Sequence, residues 1–284
     1  MGTDKRARQK ELHRSRLEAA KAAEQARERR TRFVRFGLIG LVAVGLVVLV
    51  NVFAGGGDEE VSSDSSTTTT AAEATTTSAG QLVPAALKGP GAGSSILGET
   101  PCPKADGSSA RTTSFEKPPP MCIDESKTYT ATFETSKGTF TATLDAKAAP
   151  QTVNNFVVLA RYHFYDGIPF HRIVPNFVIQ AGDPSDTPNG QGGPGYSIGE
   201  EPPADKKYEK YDLAMAKTQA PSSTGSQFFV VTGDPAALDA SPTYSLFGHV
   251  TDGTAVVDAI GTSPVAGDSP TEQITIQKVT IAEK

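Results

Sequence analysis

Residues 170–183 read FHRIVPNFVIQAGD, and the fold turns on how that stretch is parsed. Its alternation has the period of a half-buried strand, and Pro175-Asn176 supplies a turn, so the spacing predicts one strand, a turn and a second strand. Successive strand side chains face opposite ways, which places Phe170, Arg172 and Val174 on one side and His171 and Ile173 on the other. Phe177, Val178 and Gln180 follow directly. An arginine thus stands among phenylalanine, valine and a glutamine amide. Alone, the stretch reads equally well as a barrel strand with one solvated arginine. A second stretch, Gly225-Ser226-Gln227-Phe228-Phe229, offers it a partner with the same mix of aromatic ring and amide.

The surroundings are also strand-like. Tyr129, Ala131, Phe133 and Thr135 alternate with polar residues, Ser136-Lys137-Gly138 turns, and Phe140, Ala142 and Leu144 alternate again, so a β-hairpin is expected. Val153, Phe156, Val157 and Ala160 fall at helical spacing and predict an amphipathic helix from near Pro150. Residues 184–207 are rich in Gly and Pro and read as loop. Residues 211–216 and 227–232 read as strands around a polar loop, and Leu246 to Val250 as another. Ala255, Val256, Ala259 and Ile260 predict a second helix. Ile274 and Ile276, then Val279 and Ile281, supply a last strand. The expectation is a mainly β domain over residues 127–284: an antiparallel closed barrel with two short helices.

The N-terminal part has another character. Residues 1–54 carry 12 Lys/Arg against 5 Asp/Glu, whereas the rest of the 284-residue chain carries 15 against 27. An acidic main body argues against nucleic acid as partner, since phosphate binding needs a positive field. Residues 1–35 are a basic tail, partly helical in composition, either simply solvated or held against anionic head groups. Residues 36–54, FGLIGLVAVGLVVLVNVFA, contain no charge and are long enough to span a bilayer as a helix. A cleaved signal peptide is the rival reading, but the basic region is long for one and so is the apolar run. The basic excess places the N-terminus in the cytoplasm and everything after residue 54 outside. Residues 55–98 are Gly, Ser, Thr, Ala and acidic residues, too poor in apolar surface to order themselves, and read as a disordered linker. Residues 99–126 form a lead-in with Cys102 and Cys122. Outside the cytoplasm the pair is most simply a disulfide, closing a loop worth roughly 3 kcal/mol in the chain-entropy picture. A redox role is the alternative, though no CxxC spacing supports it. Zinc is not expected, because no cysteine or histidine cluster has ligand spacing.

No GxSxG elbow exists, and no metal-ligand set surrounds His163, His171 or His249. The run GQGGPG at 190–195 follows no clear strand, and its proline would spoil a helix start, so it is a poor dinucleotide loop. A site that moves no bond remains open to such a chain.

In these stretches the sequence resembles the cyclophilin-type peptidyl-prolyl isomerases. Val153-Asn154-Asn155-Phe156, Tyr165-Asp166-Gly167, FHRIVPNFVIQAGD, Leu213-Ala214-Met215-Ala216, GSQFF and Leu246-Phe247-Gly248 carry the resemblance, across roughly residues 127–284. It implies an eight-stranded antiparallel closed barrel capped by two helices, and cis–trans rotation about X–Pro bonds without a cofactor or metal. It implies Arg172 as the catalytic residue. It also implies Gln180 as the glutamine that bonds substrate backbone and positions that arginine, and Phe177, Val178, Phe229 and Leu238 as the grip on the proline ring. Gly190, Ala216 and Gln227 would line the groove. Three positions depart from the common pattern. Ala237 replaces a frequent tryptophan, so cyclosporin should bind weakly. Tyr244 replaces a frequent histidine but keeps an aromatic wall. Lys217 stands at the groove edge in place of asparagine or arginine. His171, facing away, is read as structural. The N-terminal part resembles that of membrane-tethered bacterial members. The expected protein is a monomeric, membrane-anchored isomerase acting on proline-containing segments of exported proteins. The competing reading is a peptide-binding chaperone module without turnover.

Overall fold

The structure, a computed structural model, describes residues 82–205 and 207–284. The basic tail, the apolar segment 36–54 and the first part of the linker lie outside the described residues. No helix among the described residues is long and apolar enough to cross a membrane.

The alternating segments form the strands β3 (Tyr129–Thr135), β4 (Gly138–Leu144), β5 (Arg172–Val174), β6 (Val178–Ala181), β7 (Asp212–Met215), β8 (Phe228–Val231), β9 (Leu246–Asp252) and β12 (Ile276–Glu283). They make one eight-stranded sheet in the order β12-β3-β4-β9-β7-β8-β6-β5, antiparallel throughout. A small hairpin, β10 (Val265–Ala266) and β11 (Ser269–Pro270), lies outside it, as does a parallel pair, β1 (Ser94–Ile96) and β2 (Thr112–Phe115). The helices are α1 (Pro150–Arg161), the single turn α2 (Ala236–Asp239) and α3 (Thr254–Gly261). Two helices were expected. The extra turn, Ala236-Ala237-Leu238-Asp239, is too short to show periodicity in sequence.

The expected closed barrel is corrected to a curled sheet whose strand ladder does not close. Between β5 and β12 there is only an isolated bridge, Pro169 to Thr275, with backbone bonds such as Phe170 N–H to Ile274 O at 2.8 Å. Pro169 has no N–H to extend the ladder, and β5 is only three residues long. For the same reason the face assignment of Phe170 fails. Period-two alternation holds only inside a ladder, so Phe170 turns fully into the core while Arg172 and Val174 face out. The last strand shows the converse. A register shift between Ile276 and Lys278 moves the phase by one residue, which keeps both Ile276 and Val279 buried.

One face of the sheet builds the main core. Phe156 of α1 packs at ring-centroid distances of 4.9 Å from Tyr165, 5.1 Å from Phe247 and 5.7 Å from Phe228. The apolar stripe of α1 accounts for only one of its faces, yet every residue from Thr152 to Arg161 is buried. The cysteine-containing lead-in helps cover the rest. Asn154 Nδ2 donates to Pro120 O and its Oδ1 accepts from Cys122 N–H, while Tyr162 Oη donates to Pro101 O. Cys102 and Cys122 are joined as a disulfide, and Phe115 and Ile123 of the lead-in enter the main core.

The stretch read as linker is also shorter than expected at its C-terminal end. Residues 84–98 are held against the domain. Ala85 N–H donates to Pro270 O at 2.7 Å, Lys88 exchanges two bonds with the Gln273 amide, and β1 pairs with β2. Composition missed this, because backbone and amide bonds to distant residues do the holding.

Candidate functional site

The site lies on the outer face of the sheet and follows from strand register. Arg172 pairs with Gln180, Gln180 with Phe229, Phe229 with Ala214, and Ala214 with Leu246, so one row crosses five strands. The next row contains Val174, Val178 and Val231. Side chains opposite one another across strands share a face. The outward side chains form a second apolar cluster, separate from the core, in which Phe229, Val178 and Leu238 are buried and Phe177, Ala216 and Tyr244 are partly covered. Phe229 meets Tyr244 edge to face at 5.3 Å. Tyr208 fixes that wall. Its hydroxyl donates to Tyr244 O and accepts from Tyr244 N–H, and its own N–H donates to Asp239 of α2. Burial raises the Tyr208 phenol to about 12, so it stays protonated for this task.

Beside the apolar cluster runs a polar groove of about 450 Å³, lined by Gln180, Gly190, Ala216, Lys217 and Gln227 among others. Gln180 Nε2 donates to Gln227 Oε1, and Gln227 Nε2 donates to the carbonyls of Gly190 and Gly192 at 2.9 and 2.8 Å. This chain of amides fixes both glutamines. The run 190–195 is therefore a groove wall. Asp183 anchors its start by accepting from Asn189 and Gly190 N–H. Burial pushes the Asp183 carboxyl up, but bonds from Ser185, Gly192 and Asn189 outweigh it and hold it below the usual carboxylate range. The lead-in supports the far end. Phe115 N–H donates to Pro194 O at 2.8 Å, and a Cβ on Gly195 would lie 2.4 Å from Phe115 O. Across the groove, Glu200 accepts from Ser222 and Ser223 N–H and fixes the loop after Lys217.

Arg172, half-exposed, is paired in register with Gln180 of the groove and shares β5 with Val174, which packs on the cluster. Its guanidinium bonds Asp268 through Nε at 3.1 Å and Nη2 at 3.0 Å. The glutamine expected to position Arg172 is bonded instead to Gln227, and the anion beside the arginine comes from the β10–β11 hairpin. His171 is buried beside Gly190, and neither of its ring nitrogens has a hydrogen-bond partner among the described residues. Burial, with a smaller contribution from the Arg172 charge, lowers its pKa against the opposing pull of Asp183.

The structure thus brings Arg172, Phe177, Val178, Gln180, Gly190, Ala216, Lys217, Gln227, Phe229, Leu238 and Tyr244 to one face. Ala237, on α2 beside Leu238, is exposed. Cys102 and Cys122 lie in the supporting lead-in. Asp268, Tyr208 and Phe115 were not found from sequence. Asp268 is 96 residues from Arg172, and no local pattern announces the pair.

Comparison with known proteins bears on what such a face does. Residues 130–281 match the family described as cyclophilin type peptidyl-prolyl cis-trans isomerase/CLD. A probable peptidyl-prolyl cis-trans isomerase A of Mycobacterium leprae is 41% identical over 172 residues, covering 54% of this chain and 92% of that protein. Peptidyl-prolyl cis-trans isomerase A of Mycobacterium tuberculosis is 39% identical over 174 residues, with 55% and 93% covered. Among solved structures, a cyclophilin type peptidyl-prolyl cis-trans isomerase of Cryptosporidium parvum superposes with a TM-score of 0.51 at 27% identity, covering 55% of this chain and 98% of that one.

Proposed function

The chain belongs to the cyclophilin-type peptidyl-prolyl cis-trans isomerases, and from that premise we propose that the face carrying Arg172 turns X–Pro bonds in exported proteins. The isomerase activity itself comes with the family; the residue roles, the clients and the location are the proposal. Rotation about an amide is slow because resonance must be broken, at a barrier of about 18–20 kcal/mol. No bond is made or cut, so catalysis consists of favouring the twisted amide over both planar forms.

The observation that carries this reading is the register that puts Arg172 one strand from Gln180 and two from Phe229 in a single row, with its guanidinium held by Asp268. A proline ring held by Phe177, Val178, Phe229, Leu238 and Tyr244 puts its nitrogen beside that row. Twisting takes the nitrogen out of conjugation and gives it a lone pair that an N–H donor can meet. Arg172 is such a donor and is always charged. The Gln180 amide, held by Gln227, faces the substrate backbone, and the groove receives the peptide on that side. Asp268 keeps the guanidinium in place before substrate arrives.

For location, residues 36–54 are proposed as a single membrane anchor with residues 1–35 in the cytoplasm and the isomerase domain outside. Support comes from their uncharged composition and the basic excess before them. The domain then acts as a tethered monomer on emerging chains, and a disulfide suits that compartment.

The test takes the full chain and follows cis–trans relaxation of a short X–Pro peptide. Acceleration that a proline-containing competitor suppresses is expected. Peptide binding without acceleration would refute catalysis and leave a holding module. For location, an external protease should digest the domain in intact cells while the protein fractionates with membranes; recovery in the soluble cytoplasmic fraction would refute the anchor.

A further inference from the structure

A second chamber, of about 540 Å³, shares Gln180 and Gly190 with the polar groove. Arg172 and Asp268 line it, together with residues 187–190 and residues 84–87. Residues 84–87 belong to the strap that precedes β1, outside residues 130–281 where the family likeness lies. The strap is fixed at several points. Lys88 N–H donates to Gln273 Oε1 at 2.9 Å, Gln273 Nε2 returns a bond to Lys88 O at 3.1 Å, and Gly89 N–H donates to Asp186 O at 2.9 Å. Gly89 sits so close that a Cβ there would lie 2.0 Å from Ser185 O. The chamber is therefore built by the tertiary structure, with a wall that the catalytic domain alone lacks.

We propose that this chamber is an additional substrate subsite, which receives an uncharged apolar side chain one or two residues from the proline. The inference rests on the proposed placement of the proline ring. Three observations carry it. The chamber shares Arg172 and Gln180 with the proline site, so a peptide bound at one reaches the other within the span of one or two extended residues. Pro84, Leu87 and Pro188 supply apolar surface to it, beside the uncharged Thr187, Asn189 and Ser269. Its two charges, Arg172 and Asp268, neutralise each other at 3.0 Å, which leaves no net charge to attract an ionic side chain. The His171 ring also lines it, and burial lowers its pKa, which favours the uncharged form. The strap thus sets which sequences around proline are turned over fastest, without touching the bond that rotates.

The test uses the full chain with Gly89→Ala and, separately, Gln273→Ala, two substitutions that loosen the strap from outside the chamber. Their kcat/KM is measured on peptides carrying Ala, Leu or Glu at each of the two positions on either side of the proline. The parent should favour Leu over Ala and Glu at one of these positions. Both variants should lose that preference by about fivefold to tenfold while turnover of the all-Ala peptide stays unchanged. A rise in kcat/KM for every peptide would overturn the inference and make the strap a block on the site. A uniform fall, or an unchanged preference in both variants, would overturn it as well. A parent inactive on every peptide would refute the proposed function and the inference with it, whereas an active parent whose preference survives both substitutions overturns the inference alone.

Discussion

Replacing Arg172 by alanine should separate catalysis from folding. The Arg172 side chain is 40% exposed and Asp268 53% exposed, so their ion pair is a surface pair. Such pairs contribute about 0–1 kcal/mol, and Arg172 belongs to neither apolar cluster, so unfolding free energy should shift by less than about 1 kcal/mol. The catalytic loss should be larger. A preorganised donor aimed at an acceptor that develops only in the transition state is worth about 3 kcal/mol, or on the order of a hundredfold in kcat/KM. Because the arginine is half-exposed, the lower end of the range for such donors is expected. Arg172→Lys keeps the charge but loses the planar fork, and should retain only about a tenth of parent activity. The assay is relaxation of a short X–Pro peptide in the cold, where uncatalysed rotation is slow, paired with urea unfolding of the same preparations. Asp268→Asn serves as the control for the ion pair. The reasoning is refuted if Arg172→Ala keeps kcat/KM within about threefold of parent, or if lost activity merely follows lost stability.

Phe229→Ala should raise KM sharply and also cost about 3–4 kcal/mol of stability, since the ring is buried between Val178, Leu238 and Tyr244. Phe229→Leu should recover most of the stability but less of the affinity, as measured by peptide titration and denaturant melts. Reducing the Cys102–Cys122 bridge should lower stability by roughly 3 kcal/mol and raise KM through the contact from Phe115 to the groove wall, with kcat little changed. For pH, burial holds the folded His171 below its ordinary value of 6.5. The unfolded chain then takes up the proton first as pH falls. The stability that His171 contributes is present above 6.5 and is lost as pH falls toward its folded value. The melting temperature should decline over that window, and His171→Asn should flatten the decline.

Much of this protein could be read along the chain. The hairpin at 129–144, the helix from Pro150 and the pair of stretches around Arg172 and Phe229 show period two or helical spacing, which a single strand or helix imposes on its own residues. The family likeness then singled out most of the residues on the working face, because they fall within those local stretches. Where sequence failed, the cause was contact at a distance. Phe170 turned inward because Pro169 ends the ladder before the alternation can begin. The sheet did not close because its first and last strands meet through the same irregular segment. Asp268 reached Arg172 from a separate hairpin, and Tyr208 braced Tyr244 from a segment before β7 that shows no period. The strap at 84–90 looked like linker because its composition carries no order of its own. Sequence by itself determined the strands of the main sheet and the two longer helices. Only the tertiary structure decided what stands next to Arg172, because neighbours across a folded surface are fixed by packing and long-range hydrogen bonds, which leave no period in the chain.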